Sequence, residues 1–243
     1  MPDEAADGES RDEARQEIHE ELDAEGRVIA RDTLRGGVLD GPSEAFGEDG
    51  SLRARYTFVA GRLHGEAATF DEAGVERQRA SYRDGVLDGP LYLFDADGRV
   101  EQSLEMRTGR RNGETVLYAD GAVQARLQYR DDLQHGESIL YAETGLPRQS
   151  MGFVDGVQDG ETVAYDDAGR VAQRAQFAAG KLDGPVIDYW PDGRVREEST
   201  YRDGLLHGTV RRYRMDGSLR ERQEFREGVA AGEPDSFEAR GSR

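Results

Sequence analysis

Three of the four histidines, His64, His135 and His207, each stand directly before a glycine. Imidazoles repeated in one setting suggest a metal site, because neutral histidine is a common ligand. In the corresponding positions, however, the chain carries Asp40, Asp88, Asn112, Asp159 and Asp183, residues that build turns. Carboxylates invite a second idea. Asp49, Asp97, Asp120, Asp192 and Asp216 all precede a glycine, a setting that could offer oxygen ligands to calcium. Equivalent places hold Ala73, Thr144 and Ala168, so no ligand set is maintained. The nucleophile elbow G-x-S-x-G, the zinc helix H-E-x-x-H and the Walker phosphate loop do not occur. Absence of cysteine rules out disulfides and thiolate metal sites. Polar residues placed once per repeat make a ladder, not a converging centre. The sequence therefore predicts a protein that is not an enzyme, with no cofactor and no metal.

These correspondences rest on a repeat. Its units open at Gly37, Gly61, Gly85, Gly109, Asp132, Gly156, Gly180, Gly204 and Gly228. The spacing is 24 residues, with a single 23 between Gly109 and Asp132. A period of this size marks a stacked repeat architecture. Nine residues into each unit sits an aromatic, from Phe46 to Tyr213 and Phe237, and a mid-unit glycine recurs from Gly50 to Gly241. Three residues before each new unit stands a second large apolar side chain, such as Phe58, Tyr82 or Phe225. Glycine and Asp-Gly supply turns, and between them apolar residues alternate with polar ones. Leu52, Ala54, Tyr56 and Phe58 are expected on one face and Arg53, Arg55 and Thr57 on the other.

Each unit is thus a β-hairpin. The chain reads as all-β, an elongated antiparallel sheet of tandem hairpins filling residues 26–243 as one array. Eight to nine repeats fit, the last one incomplete. A lone hairpin is marginal in water, so neighbours are expected to stack their aromatics. At two strands per unit, His64, His135 and His207 fall about 29 Å from one to the next. Metal–nitrogen bonds are about 2 Å long, so the three cannot share an ion.

The formal charge is −18 and only 36% of the 243 residues are hydrophobic, which suits a thin repeat protein with much surface. Residues 1–25 alone carry 11 acidic and 2 basic groups and read as an acidic tail, disordered over Met1–Ser10. Arg11–Asp23 has two readings: a solvated tail, or a short helix that caps the first hairpin's open edge. No apolar run approaches the ~20 residues of a membrane-spanning helix, and the acidic opening is unlike a signal peptide. The expected location is cytoplasmic. Net negative charge argues against nucleic acid and anionic membrane as partners.

The motif G-R-L-H-G at Gly61–Gly65 recurs as G-V-L-D-G-P at Gly85–Pro90, G-K-L-D-G-P at Gly180–Pro185 and G-L-L-H-G at Gly204–Gly208. Followed by an aromatic strand, an Asp-Gly turn and a second strand, this pattern resembles the MORN-repeat variant over about 200 residues. Bacterial proteins of this kind are commonly assigned as antitoxin-like members of toxin–antitoxin systems. Related MORN arrays serve as protein-interaction or membrane-lipid platforms. The resemblance implies a non-enzymatic protein that binds another protein and leaves the partner open; the chain's acidity points to a basic toxin as the antitoxin-type partner. A structural scaffold or a lipid platform are the rival implications.

Three features qualify as contact sites. The second strands carry a row of arginines, Arg55, Arg79, Arg126, Arg174 and Arg222, interrupted by Ser103, Ser150 and Glu198. The row either forms a basic stripe or pairs across strands with carboxylates such as Glu66, Glu114 and Glu161. Mid-array, the turn leucine of Leu39, Leu63, Leu87, Leu182 and Leu206 becomes Arg111, Gln134 and Gln158. Asp132 replaces an opening glycine, the short spacing falls in the same stretch, and Pro147 enters a second strand. This is either a bend with a polar notch shaped for a partner or drift in a tolerant repeat. Trp190, the only tryptophan, either serves as a contact hot spot or packs on an arginine stem such as Arg214.

Overall fold

The structure, a computed structural model, describes residues 15–238, and the Met1–Ser10 tail and Gly241 lie outside the described residues. It is all-β, with 23 strands and no helix among the described residues. The chain divides into two units. One comprises Met1–Gly89 with Ala96–Gly98, the other Pro90–Asp95 with Arg99–Arg243. In the first, the strands Gln16–Leu22, Val28–Arg35, Val38–Phe46 and Leu52–Val59 pair in sequence order and antiparallel. The short strands Arg62–Leu63 and Gly65–Phe70, followed by Glu76–Arg83, continue this meander. In the second, the same scheme runs from Val100–Arg107 to the two-residue strand Asp235–Ser236.

Two kinds of turn generate the period. Opening turns have two central residues, as shown by Val59 facing Arg62 and Arg202 facing Leu205. Both central residues have positive φ, for example Asp84 at 50° and Gly85 at 84°. That is the mirror-image turn whose twist suits paired strands. The glycine amide then reaches back one repeat: Gly61 N–H donates to Leu39 O at 2.7 Å, and Gly204 to Leu182 O at 2.8 Å. Mid-unit turns are longer. Gly74 N–H donates to Asp71 O at 3.0 Å and Asp71 N–H to Val75 O at 2.9 Å, a three-residue loop closed by a left-handed glycine. Asp120-Gly121 is the exception. It is a two-residue turn with φ of 50° and 78°, joining Ala119 to Ala122. The 23-residue unit is short by the one residue missing there.

Each longer mid-unit turn leaves a β-bulge beside its aromatic. Ala45 faces Ala54, but Phe46 faces Leu52, so Arg53 is an extra residue. The expectation that Leu52 shares a face with Ala54, Tyr56 and Phe58 is therefore corrected. A bulge breaks the two-residue period, and Leu52 instead lines a groove with Arg55, Ala68 and Phe70. Pro147 sits at the first residue of its strand, opposite Tyr141 at the same kind of bulge, where a missing donor costs little.

The helix considered for Arg11–Asp23 is also corrected. Gln16–Leu22 is a strand paired with Val28–Arg35, and the first hairpin thus begins before residue 26. Its turn is Asp23–Gly26, where Gly26 N–H donates to Asp23 O at 3.0 Å, as in Asp71–Gly74. Ile18 and Leu22 fit a helical stripe, but seven ladder positions and a turn of the repeat's own kind favour the strand.

The buried residues are small. Ala54, Ala67, Ala68 and Ala80 form the interior of the first unit, and Val116, Ala125, Val163, Ala175, Val186 and Val210 that of the second. Ladder register sets Ala67 against Ala80 and Val186 against Ala175. The aromatics are half-buried around these rows. Tyr56 and Phe58 lie 6.3 Å apart between ring centroids within one strand. Burial thus comes mainly from short side chains shielded by longer neighbours.

Candidate partner-binding site

The polar turn residues all fall on one edge of the second unit. Arg111 faces Met106, Gln134 faces Tyr129 and Gln158 faces Phe153, each where Leu182 and Leu206 face Phe177 and Tyr201. Arg111 lays its guanidinium over the Tyr129 ring, 4.0 Å from the centroid. Its amide donates to Asp132 Oδ1 at 2.9 Å and its Nη2 to Asp132 O at 3.1 Å. Asp132 in return donates its own amide to Arg111 O at 3.0 Å, the bond glycine makes in other repeats. Its φ of 70° is costly for a side-chain-bearing residue, and the contacts with Arg111 offset that cost. The sequence placed these two residues in different units, and the fold joins them.

Gln134 and Gln158 follow on the same edge. Their carbonyls accept from Gly156 and Gly180 at 2.8 Å, so the inter-repeat backbone bond survives the loss of leucine. The missing residue of the short unit lies at Asp120-Gly121, the other end of the hairpin, and removes nothing from this edge. Four residues after each polar turn residue comes a hydroxyl: Thr115, Ser138 and Thr162, at 4%, 0% and 7% exposure. Gln158 Nε2 donates to Thr162 Oγ1 at 2.7 Å. Thr115 Oγ1 and Ser138 Oγ are buried without a hydrogen-bond partner. Four of the leucine repeats carry Ala67, Leu91, Val186 and Val210 in that place, and the Leu39 repeat carries Ser43, which is half-buried and donates to Asp32 Oδ1 at 2.6 Å. Sequence reading missed this pairing of polar turn with hydroxyl, although the i to i+4 spacing within three successive repeats was there to find.

Trp190 is not part of this edge. It occupies the place of Asp71 and Asp166 in a mid-unit turn, and eight residues of strand separate it from Leu182, about 27 Å. The cation over its ring is Arg196, 5.8 Å from the centroid. Arg214, the partner weighed from the sequence, instead donates to Leu219 O at 2.9 Å in its own turn.

The arginine row pairs with carboxylates. Arg126 meets Glu114 at 2.8 Å, Arg174 meets Glu161 at 2.7 Å and Arg222 meets Asp235 at 2.6 Å. Arg55 lies 3.6 Å from Glu44, and Arg79 lies 2.6 Å from Glu76 and 4.0 Å from Glu66. Exposed pairs of this kind contribute little each, but they neutralise the stripe. The histidines behave as turn residues: His64, His135 and His207 donate their amides to Thr57, Gln128 and Thr200 at 2.8–2.9 Å. Among the described residues no group of three or more His, Asp or Glu is placed to hold a metal ion. Turn carboxylates act locally. Asp71 is held below the usual carboxylate range, first by the Val75 amide and then by Arg77, and Asp166 likewise by the Arg170 amide and guanidinium. Asp155 is lowered chiefly by its hydrogen bond from Arg130.

One span shows the recurring features together: Leu182 facing Phe177, the Val186–Ser199 pair, and the turn at Asp203-Gly204. Residues 182–203 match the family model of the MORN repeat variant. The match supports the MORN-repeat family over that span, and the same turn geometry recurs in both units. No curated protein matches the chain. MORN repeats are protein-interaction modules, which fits a protein partner.

Proposed function

We propose that this chain is a non-enzymatic repeat protein that binds a basic protein through the edge carrying Arg111, Asp132, Gln134 and Gln158. In its narrower form, the partner is a cytoplasmic toxin that the array occludes as an antitoxin or immunity-type protein. One observation carries the reading. In three successive MORN-type hairpins the apolar turn residue is polar, half-buried and set beside a buried hydroxyl, while the backbone bonds of the array are unchanged. The charge of −18 supports a basic partner, since complementary charge speeds encounter and disfavours wrong partners. Trp190 and Arg196 offer a second, separate contact.

The test is capture of partners by tagged protein, with stoichiometry, compared with the variant Gln134→Leu/Gln158→Leu. A single basic protein at 1:1, weakened at least tenfold by the double variant while the array remains folded, is the expected result. Unaltered affinity would remove the edge from the interface. Concentration-dependent self-association without any foreign partner would support the scaffold reading instead. Growth arrest when the captured protein is expressed alone decides the narrower form.

A further inference from the structure

A second recognition feature lies beside the mid-unit turns of the second unit. Leu146, Pro147, Tyr165 and Asp167 line a shallow groove of about 400 Å³. One repeat on, Arg170, Val171, Tyr189 and Pro191 line its counterpart of about 450 Å³. The two correspond residue by residue at a separation of 24, each with a tyrosine from the following hairpin as one wall. Two strands of a sheet span about 9.6 Å. One turn of polyproline II helix, three residues at 3.1 Å, spans about 9.3 Å. A proline-rich segment running across the strands would therefore present every third residue to successive grooves. Aromatic-lined grooves are the surfaces such segments dock on.

Charge selects the composition. Arg170 is paired with Asp166 at 2.8 Å and Arg174 with Glu161 at 2.7 Å. Glu143 and Asp167 line the first groove, and Asp192 the second. The nearest cation to Asp192 is Arg194, at 3.8 Å. Arg148 also lines the first groove, so with the close pairs set aside Glu143, Asp167 and Asp192 stand against Arg148 and Arg194, a balance of one negative charge in a chain of net charge −18. We infer that these adjacent grooves bind a basic proline-rich segment with prolines three residues apart and arginine or lysine between them. Twist between strands, about 20–25° each, limits the register to two or three turns, so a short segment suffices. This inference rests on the protein-binding reading but uses a different surface from the Arg111–Gln158 edge.

The probe is a nine-residue peptide of three Arg-Pro-Pro units, titrated against the full chain by heteronuclear NMR. Its control, three Arg-Ala-Ala units, has equal charge without the preformed helix. At least tenfold tighter binding of the proline peptide is expected, with the largest shifts in residues 142–148, 165–167 and 189–193. Glu143→Gln/Asp167→Asn, exposed and outside the ladder, should weaken it threefold or more, and Tyr189→Leu should weaken it further. Equal binding of the two peptides, or no binding at millimolar concentration, would overturn the inference. Partner capture sensitive to Gln134→Leu/Gln158→Leu alongside a failed peptide titration would leave the proposed function standing and remove only this groove.

Discussion

Ser138→Ala should stabilise the protein. Ser138 is wholly buried and its hydroxyl has no partner. An unsatisfied buried hydroxyl costs about 1–3 kcal/mol, whereas the void left by a single oxygen costs a few tenths of a kcal/mol. The net gain is about 1 kcal/mol. In a repeat array this gain is felt by the hairpin concerned and its neighbours more than by the chain as a whole. Amide hydrogen exchange is thus the suitable assay, with protection over residues 136–154 rising about fivefold. Thr162→Val supplies the opposite sign at an equivalent place. It removes the acceptor of the Gln158 amide and should cost about 1 kcal/mol, with faster exchange over residues 157–178. If Ser138→Ala instead lowers protection, the hydroxyl is satisfied in solution by Gln134 or by water. The account of the polar repeats as under-satisfied would then be refuted.

Asp132→Gly should be neutral or slightly stabilising and Asp132→Val should cost about 1–3 kcal/mol, because φ of 70° suits glycine and not a β-branched residue; urea unfolding of both variants checks this. Gly152→Ala should cost about 1–3 kcal/mol, since its Cβ would sit 2.3 Å from the Asp159 carbonyl oxygen, a contact with backbone that cannot swing away. Native-like stability would show that the strand shifts freely. Acid should weaken the turns. Asp71 and Asp166 have folded pKa values below the unfolded carboxylate range of about 3.9, so their contribution is complete above that range and is lost as pH falls through the folded values. The unfolding midpoint should therefore decline below about pH 4, and Asp71→Asn/Asp166→Asn should flatten that decline.

The hairpins, their period and the turn glycines were legible because each depends on local backbone chemistry repeated many times. Leu52 was misplaced because a bulge is an agreement between two strands, and one strand's alternation carries no trace of it. The Gln16–Leu22 strand escaped notice because its charge resembles a solvated tail, although Asp23–Gly26 spells the repeat's own turn. Arg111 and Asp132 stood out as irregular residues, but only the ladder shows that one restores what the other lacks. Trp190 had Arg214 of the next repeat as one expected partner, but its arginine is Arg196, from the adjacent strand of its own hairpin. The arginine row needed the three-dimensional arrangement, since a stripe and a set of ion pairs have the same sequence.

The backbone bond from an opening residue to the turn carbonyl one repeat earlier, as from Gly61 to Leu39 or from Gly204 to Leu182, uses no side chain. Repeats joined in this way present the same donor and the same acceptor at their junction, whatever their side chains. Excision of residues 182–205, one whole unit, would join Lys181 to Leu206. Gly180 N–H would still reach Gln158 O and Gly228 N–H would still reach Leu206 O, so both remaining joints are ones the chain already makes. Gene-level gain or loss of a unit would thus lengthen or shorten the recognition surface in steps of about 9.6 Å without redesigning a single joint.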